Sequence, residues 1–314
     1  MNHFGKSKLP MLFLIDFEME SPLIIPLNEI NSEKIEYYID GFTNSTTEKK
    51  EINKINLTKQ PISFKNYEIA FNKVKQNLNF GNSYLTNLTF PTKIEIDISI
   101  NDIFINSHSK YKLIFNDEFV VFSPETFVKI ENNIISSFPM KGTIDAGIPN
   151  AKEILTNSFK EIAEHNTIVD LIRNDLSMVS KNVFVENFRY IEEISTNEKK
   201  LLQASSKISG QLDSNFNEHI GEIIFSLLPA GSVSGAPKKK TLEIIKEAET
   251  SKRGYYTGIC GYFNGEKLDS FVMIRFIEKK NNELFYRSGG GITVNSDLHS
   301  EYNELIDKVY VPIF

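Results

Sequence analysis

Two stretches of this chain place carboxylates three residues apart. "KEIAEH" holds Glu161 and Glu164, and "SEYNELIDK" holds Glu301 and Glu304, with Lys308 one turn beyond Glu304. At i, i+3 both carboxylates of a pair share one helix face, where like charges repel mildly. Taken singly, each pair reads as an ordinary solvated face. If the two faces meet, four carboxylates converge and require a cation. An all-oxygen donor set suits Mg²⁺, which takes one or two carboxylates plus waters and substrate oxygens. No His or Cys cluster has zinc spacing.

Other small groupings carry chemical meaning. "PAGSVSGAPKK" sets Gly231, Ser232, Ser234 and Gly235 before a helical stretch. Such residues turn backbone N–H groups toward an anion at a helix N-terminus, or simply make an interhelix turn. The spacing is not that of a Walker A loop. "RSGGGITV" runs Gly289, Gly290 and Gly291 through an apolar strand pattern. Glycines weaken a strand and are tolerated where a ligand or another backbone comes close. In "SSFPMKGTID" a lysine, Lys141, stands between a Pro-Met step and a Gly-Thr turn. Locally that is a solvated turn residue. The single cysteine, Cys260, lies in the apolar "TGICGYF" and reads as a core residue, so no intrachain disulfide forms.

The elements that position these residues follow from pattern. With 314 residues, 40% hydrophobic, the chain can bury a large core. A net charge of −6 without basic blocks argues against a nucleic-acid partner. The apolar runs are too short to span a membrane, and the N-terminus lacks a signal-peptide core, so the expected compartment is cytoplasmic. Residues 9–30 read as edge strands, and the polar stretch 43–60 as a loop or hairpin. Tyr67, Ala70, Phe71, Val74 and Leu78 keep helical spacing, closed by Gly81 as a C-cap. A strand follows from Ser83 toward Ile96. Residues 111–138 give three short strands with Asn-Asp and Asn-Asn turns. Helices are expected from about Asn150 to His165, near Ile168–Leu176, up to Gly231, from Pro237, and at the C-terminus. Residues 256–294 read as a three-stranded meander with turns at Asn264-Gly265 and Asn281-Asn282. Strand runs followed by helix runs imply α+β with antiparallel sheets. No linker divides the chain.

Several strings together are more specific. "GSVSGAPKKKTLEIIKEAE", "RGYYTGICGYF", "EHNTIVDLIRNDL" and "SGGGI" followed by "EYNELIDK" resemble the chorismate-utilising enzymes, in order from about Gly81 to Lys308. The resemblance implies two antiparallel β-sheets packed as a sandwich with helices outside, in one catalytic domain over 1–314. Residues 1–60 would form a shortened N-terminal region and 61–314 the chorismate-binding core. It implies Mg²⁺ on Glu164 and Glu304, with Glu161 and Glu301 as close or water-bridged partners. It places Thr143, Tyr256, Arg275, Gly289, Gly290, Gly291 and Lys308 on chorismate. An arginine such as Arg275 suits a bidentate grip on a carboxylate.

Within that family the step before Gly-Thr separates the branches. Most read Pro-Ile-Ala or Pro-Leu-Ala, whereas the aminodeoxychorismate synthase branch carries lysine. Here the step is Pro139-Met140-Lys141. By resemblance Lys141 is the nucleophile that attacks C2 of chorismate as the C4 hydroxyl leaves. Ammonia then adds at C4 to give 4-amino-4-deoxychorismate, on the way to p-aminobenzoate and folate. A lysine attacks only as the free amine. "FSPETF" puts Glu125 where the family has its general acid/base, a role that a carboxyl raised by burial can fill. The alternatives within reach are anthranilate synthase component I and a non-catalytic chorismate-binding subunit. Leu85 stands where isochorismate and salicylate synthases have a lysine base, and Gln203 where many members have histidine. The short N-terminal region gives no expectation of a tryptophan site. No glutaminase residues are visible, so ammonia comes from solution or from a glutamine amidotransferase partner.

Overall fold

The computed structural model describes residues 1–49, 52, 55–195 and 200–313. Of the polar stretch 43–60, residues 50, 51, 53 and 54 lie outside the described residues, and the strand Leu57–Gln60 closes it. Among the described residues the strands form two antiparallel sheets of nine strands each, with helices against them. The first sheet runs Met140–Asp145, Lys200–Gln211, Ile134–Ser137, Thr126–Glu131, Leu268–Val272, Ile259–Phe263, Met11–Ile15, Leu23–Pro26. Strand Lys181–Ser195 also pairs with Lys200–Gln211. The second runs Gly235–Ala236, Leu85–Ile96, Glu283–Ile292, Phe276–Lys280, Phe119–Ser123, Tyr111–Phe115, Ile35–Ile39, Phe42–Thr43, and Leu57–Gln60 pairs with Leu85–Ile96. This is the expected α+β sandwich.

Alternation along one strand shows the layers. Met11, Phe13 and Ile15 pack with the helical residues Ile168, Ile172 and Ile224, while Leu12 and Leu14 pack with Tyr37, Tyr111, Leu113 and Val121 of the second sheet. Met11–Ile15 is therefore buried on both faces and lies inside the sheet, and only Leu23–Pro26 is an edge. The edge expectation for residues 9–30 fails at that first strand, because a strand sealed on both faces needs no polar alternation. Cys260 is fully buried between the sheets, where burial pushes its thiol pKa up. On the outer face of the second sheet, the helix Phe64–Asn79 seats Tyr67, Ala70, Phe71, Val74 and Leu78, all buried. It ends as expected at Gly81, φ +77°, with Gly81 N–H on Leu78 O and Asn82 N–H on Asn77 O, both at 3.0 Å.

Four further boundaries differ from the pattern reading. Residues 111–137 give four strands, because Pro124 cannot continue a ladder and splits Phe119–Ser123 from Thr126–Glu131. Residues 259–292 also give four strands, divided between the two sheets rather than forming one meander. The helices over 150–177 divide at Ser158, which is extended and caps the helix Phe159–Ser177 by accepting from Glu161 N–H. The helix ahead of Gly231 stops at Ser226, and Gly231 instead opens the short helix Gly231–Ser234. Leu228, preceding Pro229, is disfavoured in a helix.

Candidate active site

Two of the chain's crossings between the sheets run side by side. Residues 124–125 lead from the second sheet to the first, and residues 273–275 lead back. The crossings bond to each other: Val272 N–H donates to Glu125 O and Phe122 N–H to Arg275 O, both at 3.1 Å. Glu125 and Arg275 thus sit at a sheet switch instead of in a ladder. Arg275 holds φ +54°, a left-handed backbone that costs a non-glycine residue about 1–2 kcal/mol. Its guanidinium lies 5.0 Å from the ring centroid of Tyr310.

Around this switch opens a cavity of about 470 Å³. Every site residue expected from the sequence lines it: Glu125, Lys141, Thr143, Glu161, Glu164, Tyr256, Arg275, Gly289, Gly290, Gly291, Glu301, Glu304 and Lys308. Six separate parts of the fold bring them together. Lys141 stands on the strand Met140–Asp145, whose register shifts at Gly142, φ +80°. A Cβ there would fall 2.8 Å from Glu161 Oε2. The glycines stand on Glu283–Ile292. A Cβ on Gly290 would lie 3.3 Å from Glu301 Oε2 and from Glu304 Oε1, and one on Gly291 would lie 3.8 Å from Lys141 Nζ. Lys141 and the Glu301–Glu304 pair therefore face neighbouring glycines of the bare strand, and Glu161 faces Gly142.

Both acidic helices begin beside the cavity. Ser158 caps one and Asp297 caps the other, accepting from Ser300 N–H at 2.9 Å. Glu161 and Glu301 fall in the first turns, where a carboxylate is favoured by the helix dipole. Lys308, at the far end of Leu298–Asp307, bonds Glu304 Oε1 at 2.5 Å and Gly289 O at 2.8 Å. Burial lowers its pKa, against the opposing pull of Glu304. Among the described residues no three His, Cys, Asp or Glu side chains are already gathered closely enough to hold a metal ion. The donor set itself fits a hard dication: four carboxylates on one cavity, with no side chain on Gly290 to crowd two of them.

Glu125 is held between opposing influences. Burial raises its pKa, while the Ser232 hydroxyl, donating to Oε1 at 2.5 Å, and the charges of Lys141, Arg275 and Lys308 pull it back. Within the "GSVSG" turn it is the Ser232 hydroxyl that reaches Glu125. Gly235 in that turn, φ +123°, brings its Cα so near Leu85 O that a Cβ would lie 1.9 Å away. Leu85 is buried and its side chain reaches Gly291, so position 85 contributes no amine there and the amine near Gly291 is that of Lys141. Tyr256 is buried, its hydroxyl pKa pushed up to about 12 by burial, and the Arg287 guanidinium lies 5.4 Å from its ring centroid. Sequence reasoning missed Arg287, Ser288, Asn87 and Thr257, which also line the cavity. The buried Arg287 had one signal, a charge beside three glycines in an apolar strand.

The fold and this cavity define a chorismate-handling class. The description "chorismate binding enzyme" matches residues 23–313, and the chain belongs to that family. It is 50% identical over 312 residues to an "Uncharacterized PabA-like protein" of Haemophilus influenzae, covering 99% of this chain and 95% of that one. It is 30% identical over 266 residues to aminodeoxychorismate synthase component 1 of Bacillus subtilis, covering 80% of this chain and 55% of that one. The solved anthranilate synthase component I of Streptococcus pneumoniae superposes with a TM-score of 0.68 at 27% identity, covering 80% of this chain and 58% of that one.

Proposed function

We propose that this chain converts chorismate and ammonia to 4-amino-4-deoxychorismate, acting as a single domain over 1–314. The observation that carries this is the Lys141 amine, placed in the same cavity as Glu125 and beside the bare edge of Gly291. Arg275 supplies a guanidinium grip for a substrate carboxylate. Lys141 Nζ attacks C2, the ring double bonds shift, and the C4 hydroxyl leaves as water with the proton of Glu125. Ammonia then bonds to C4, the double bonds shift back, and the lysine is expelled. Burial supports the proton-donor role of Glu125, since a raised carboxyl stays protonated at higher pH. Glu164 and Glu304, backed by Glu161 and Glu301, would hold Mg²⁺, which when bound supplies positive charge against the ring carboxylate. The buried Cys260, its thiol pKa raised, supports supply of ammonia from solution or from a glutamine amidotransferase partner. The second reading is anthranilate formation, favoured by the likeness to the Streptococcus pneumoniae enzyme.

Mass spectrometry of products from chorismate, Mg²⁺ and ammonium separates the two. The expected result is 4-amino-4-deoxychorismate, with a covalent adduct on Lys141 when ammonium is withheld. Lys141→Ala and Lys141→Arg should both lose most of kcat while chorismate binding persists, because guanidinium does not deprotonate to attack. Anthranilate with pyruvate as products, or an active Lys141→Arg with no adduct on peptide mapping, would overturn the reading.

A further inference from the structure

A second cavity, of about 330 Å³, adjoins the first, and Pro124, Met140, Gln203 and Arg275 line both. On the wall of this cavity Glu192 and Glu193 are exposed, Glu192 accepting from the Ser205 hydroxyl at 2.5 Å and Glu193 paired with Lys200 at 2.6 Å, and Lys110 lines it too, its Nζ 5.9 Å from the Phe138 ring centroid. Its inner end is Gln203. In the sheet Gln203 lies directly between Thr143 on one neighbouring strand and Glu192 on the other. Its Nε2 donates to Thr143 Oγ1 at 3.5 Å, and its Oε1 is buried with no partner. A buried carbonyl left without a donor costs about 1–3 kcal/mol, and such orphans mark places where a partner comes from outside the chain.

We propose that this second cavity is the entry vestibule for the nitrogen nucleophile, and that Gln203 Oε1 accepts one of its N–H bonds at the neck leading to Lys141. The inference rests on the amination reading given above. Ammonium carries four N–H donors and no acceptor, which suits the lone Gln203 carbonyl with the Glu192 carboxylate on the same cavity. Aromatic side chains of Phe138 and Tyr190 along the way tolerate a cation. Farther in, Arg275 and Lys141 disfavour a second positive charge, so the nitrogen arrives at C4 as neutral ammonia. The proton it gives up leaves to water at the mouth.

The test is steady-state kinetics with each substrate varied against saturating amounts of the other, alongside thermal melts and chorismate titration. Gln203→Leu should raise the KM for ammonium about tenfold, the size of one lost hydrogen bond to a charged donor, with the KM for chorismate and the Tm unchanged. Gln203→Glu keeps an acceptor and should hold the ammonium KM within about threefold. Glu192→Gln should raise it by a smaller factor than Gln203→Leu. A rise in the chorismate KM instead would assign Oε1 to a substrate hydroxyl and overturn the inference. A fall in kcat and Tm at unchanged ammonium KM would make Gln203 purely structural and overturn it too. If the wild-type chain forms no aminated product, the amination reading itself falls and takes this one with it. If it does and Gln203→Leu keeps the ammonium KM, only the vestibule falls.

Discussion

At the scale of single residues, the site turns on how Glu125 is held. Burial alone would leave its carboxyl protonated well above the ordinary carboxylate range, and the Ser232 hydroxyl moderates this by stabilising the charged form. As a proton donor Glu125 works below its pKa, so kcat should fall as pH rises through it. Ser232→Ala removes the stabilising donor and raises that pKa further. The falling limb should move to higher pH by about one unit, the worth of one hydrogen bond to a carboxylate. A pH profile of kcat at saturating ammonium reads this directly, and a limb that stays put or moves down would remove Glu125 from the donor role. The same change should cost stability near neutral pH. A carboxyl whose folded pKa lies above its unfolded one favours folding only below that range. How much of this was legible varies by residue. The carboxylate pairs and the glycines stand out by type and spacing, Lys141 only through the family resemblance, and each lines the cavity. Ser232 was legible only as part of a small-residue turn, because its partner lies 107 positions away. Gln203 and Arg287 were silent or nearly so, since what they face depends on strand register.

At the scale of elements, neighbouring glycines on one strand do different work. A Cβ on Gly289 would meet Leu88 O at 2.3 Å and Thr89 Cα at 2.7 Å, both backbone of the paired strand. Gly289→Ala must push two strands apart, and should cost roughly 2–4 kcal/mol and several degrees of Tm. A Cβ on Gly290 would meet only the ends of Glu301 and Glu304, at 3.3 Å, and these can swing away. Gly290→Ala should keep its Tm within about 2 °C while weakening Mg²⁺ half-saturation of activity about tenfold, since the displaced carboxylates are the ones expected on the ion. Thermal melts paired with a Mg²⁺ titration separate the two, and equal effects in both variants would mean the glycines serve packing alone. Helix existence was legible here because one apolar stripe suffices: Tyr67 to Leu78 keep the helical period and all are buried. The sheet switches at residues 124–125 and 273–275 were not. Strands on both sides of a switch carry buried apolar residues, so local pattern cannot say which sheet receives them. That is why a meander was expected where the chain leaves one sheet for the other.

At the scale of the molecule, one buried ion pair ties these parts together behind the substrate cavity. Arg253 and Glu249 are side by side with side-chain exposures of 1% and 4%, joined by Nη2–Oε1 at 2.6 Å and Nε–Oε2 at 2.9 Å. Glu249 also accepts from Thr89 N–H and Oγ1–H, both at 2.9 Å, on the strand beneath the glycines. Arg253 donates to Asn87 O at 2.8 Å on that strand and to Val233 O at 2.7 Å in the turn that carries Ser232. The Phe17 ring, just past the strand Met11–Ile15, lies under the guanidinium at 4.4 Å, and Glu18 accepts from Arg253 N–H at 2.9 Å. The pair thus holds the glycine strand, the Ser232 turn and the first sheet in one arrangement. Taking two ions out of water is costly, so its stabilising worth lies in not being broken. Arg253→Met leaves a buried carboxylate and two carbonyls without their donor, and should cost about 3–5 kcal/mol in urea unfolding. Arg253→Met with Glu249→Leu removes the stranded charge and should recover part of that loss, so the double variant should be more stable than the single. Chorismate binding should stay weak in both, because Asn87 and Val233 line the cavity and lose the group that fixes their carbonyls. A double variant with restored stability and full chorismate affinity would show the pair to be packing only. A single variant costing under about 1 kcal/mol would show that water reaches the pair and that its burial does not govern the fold.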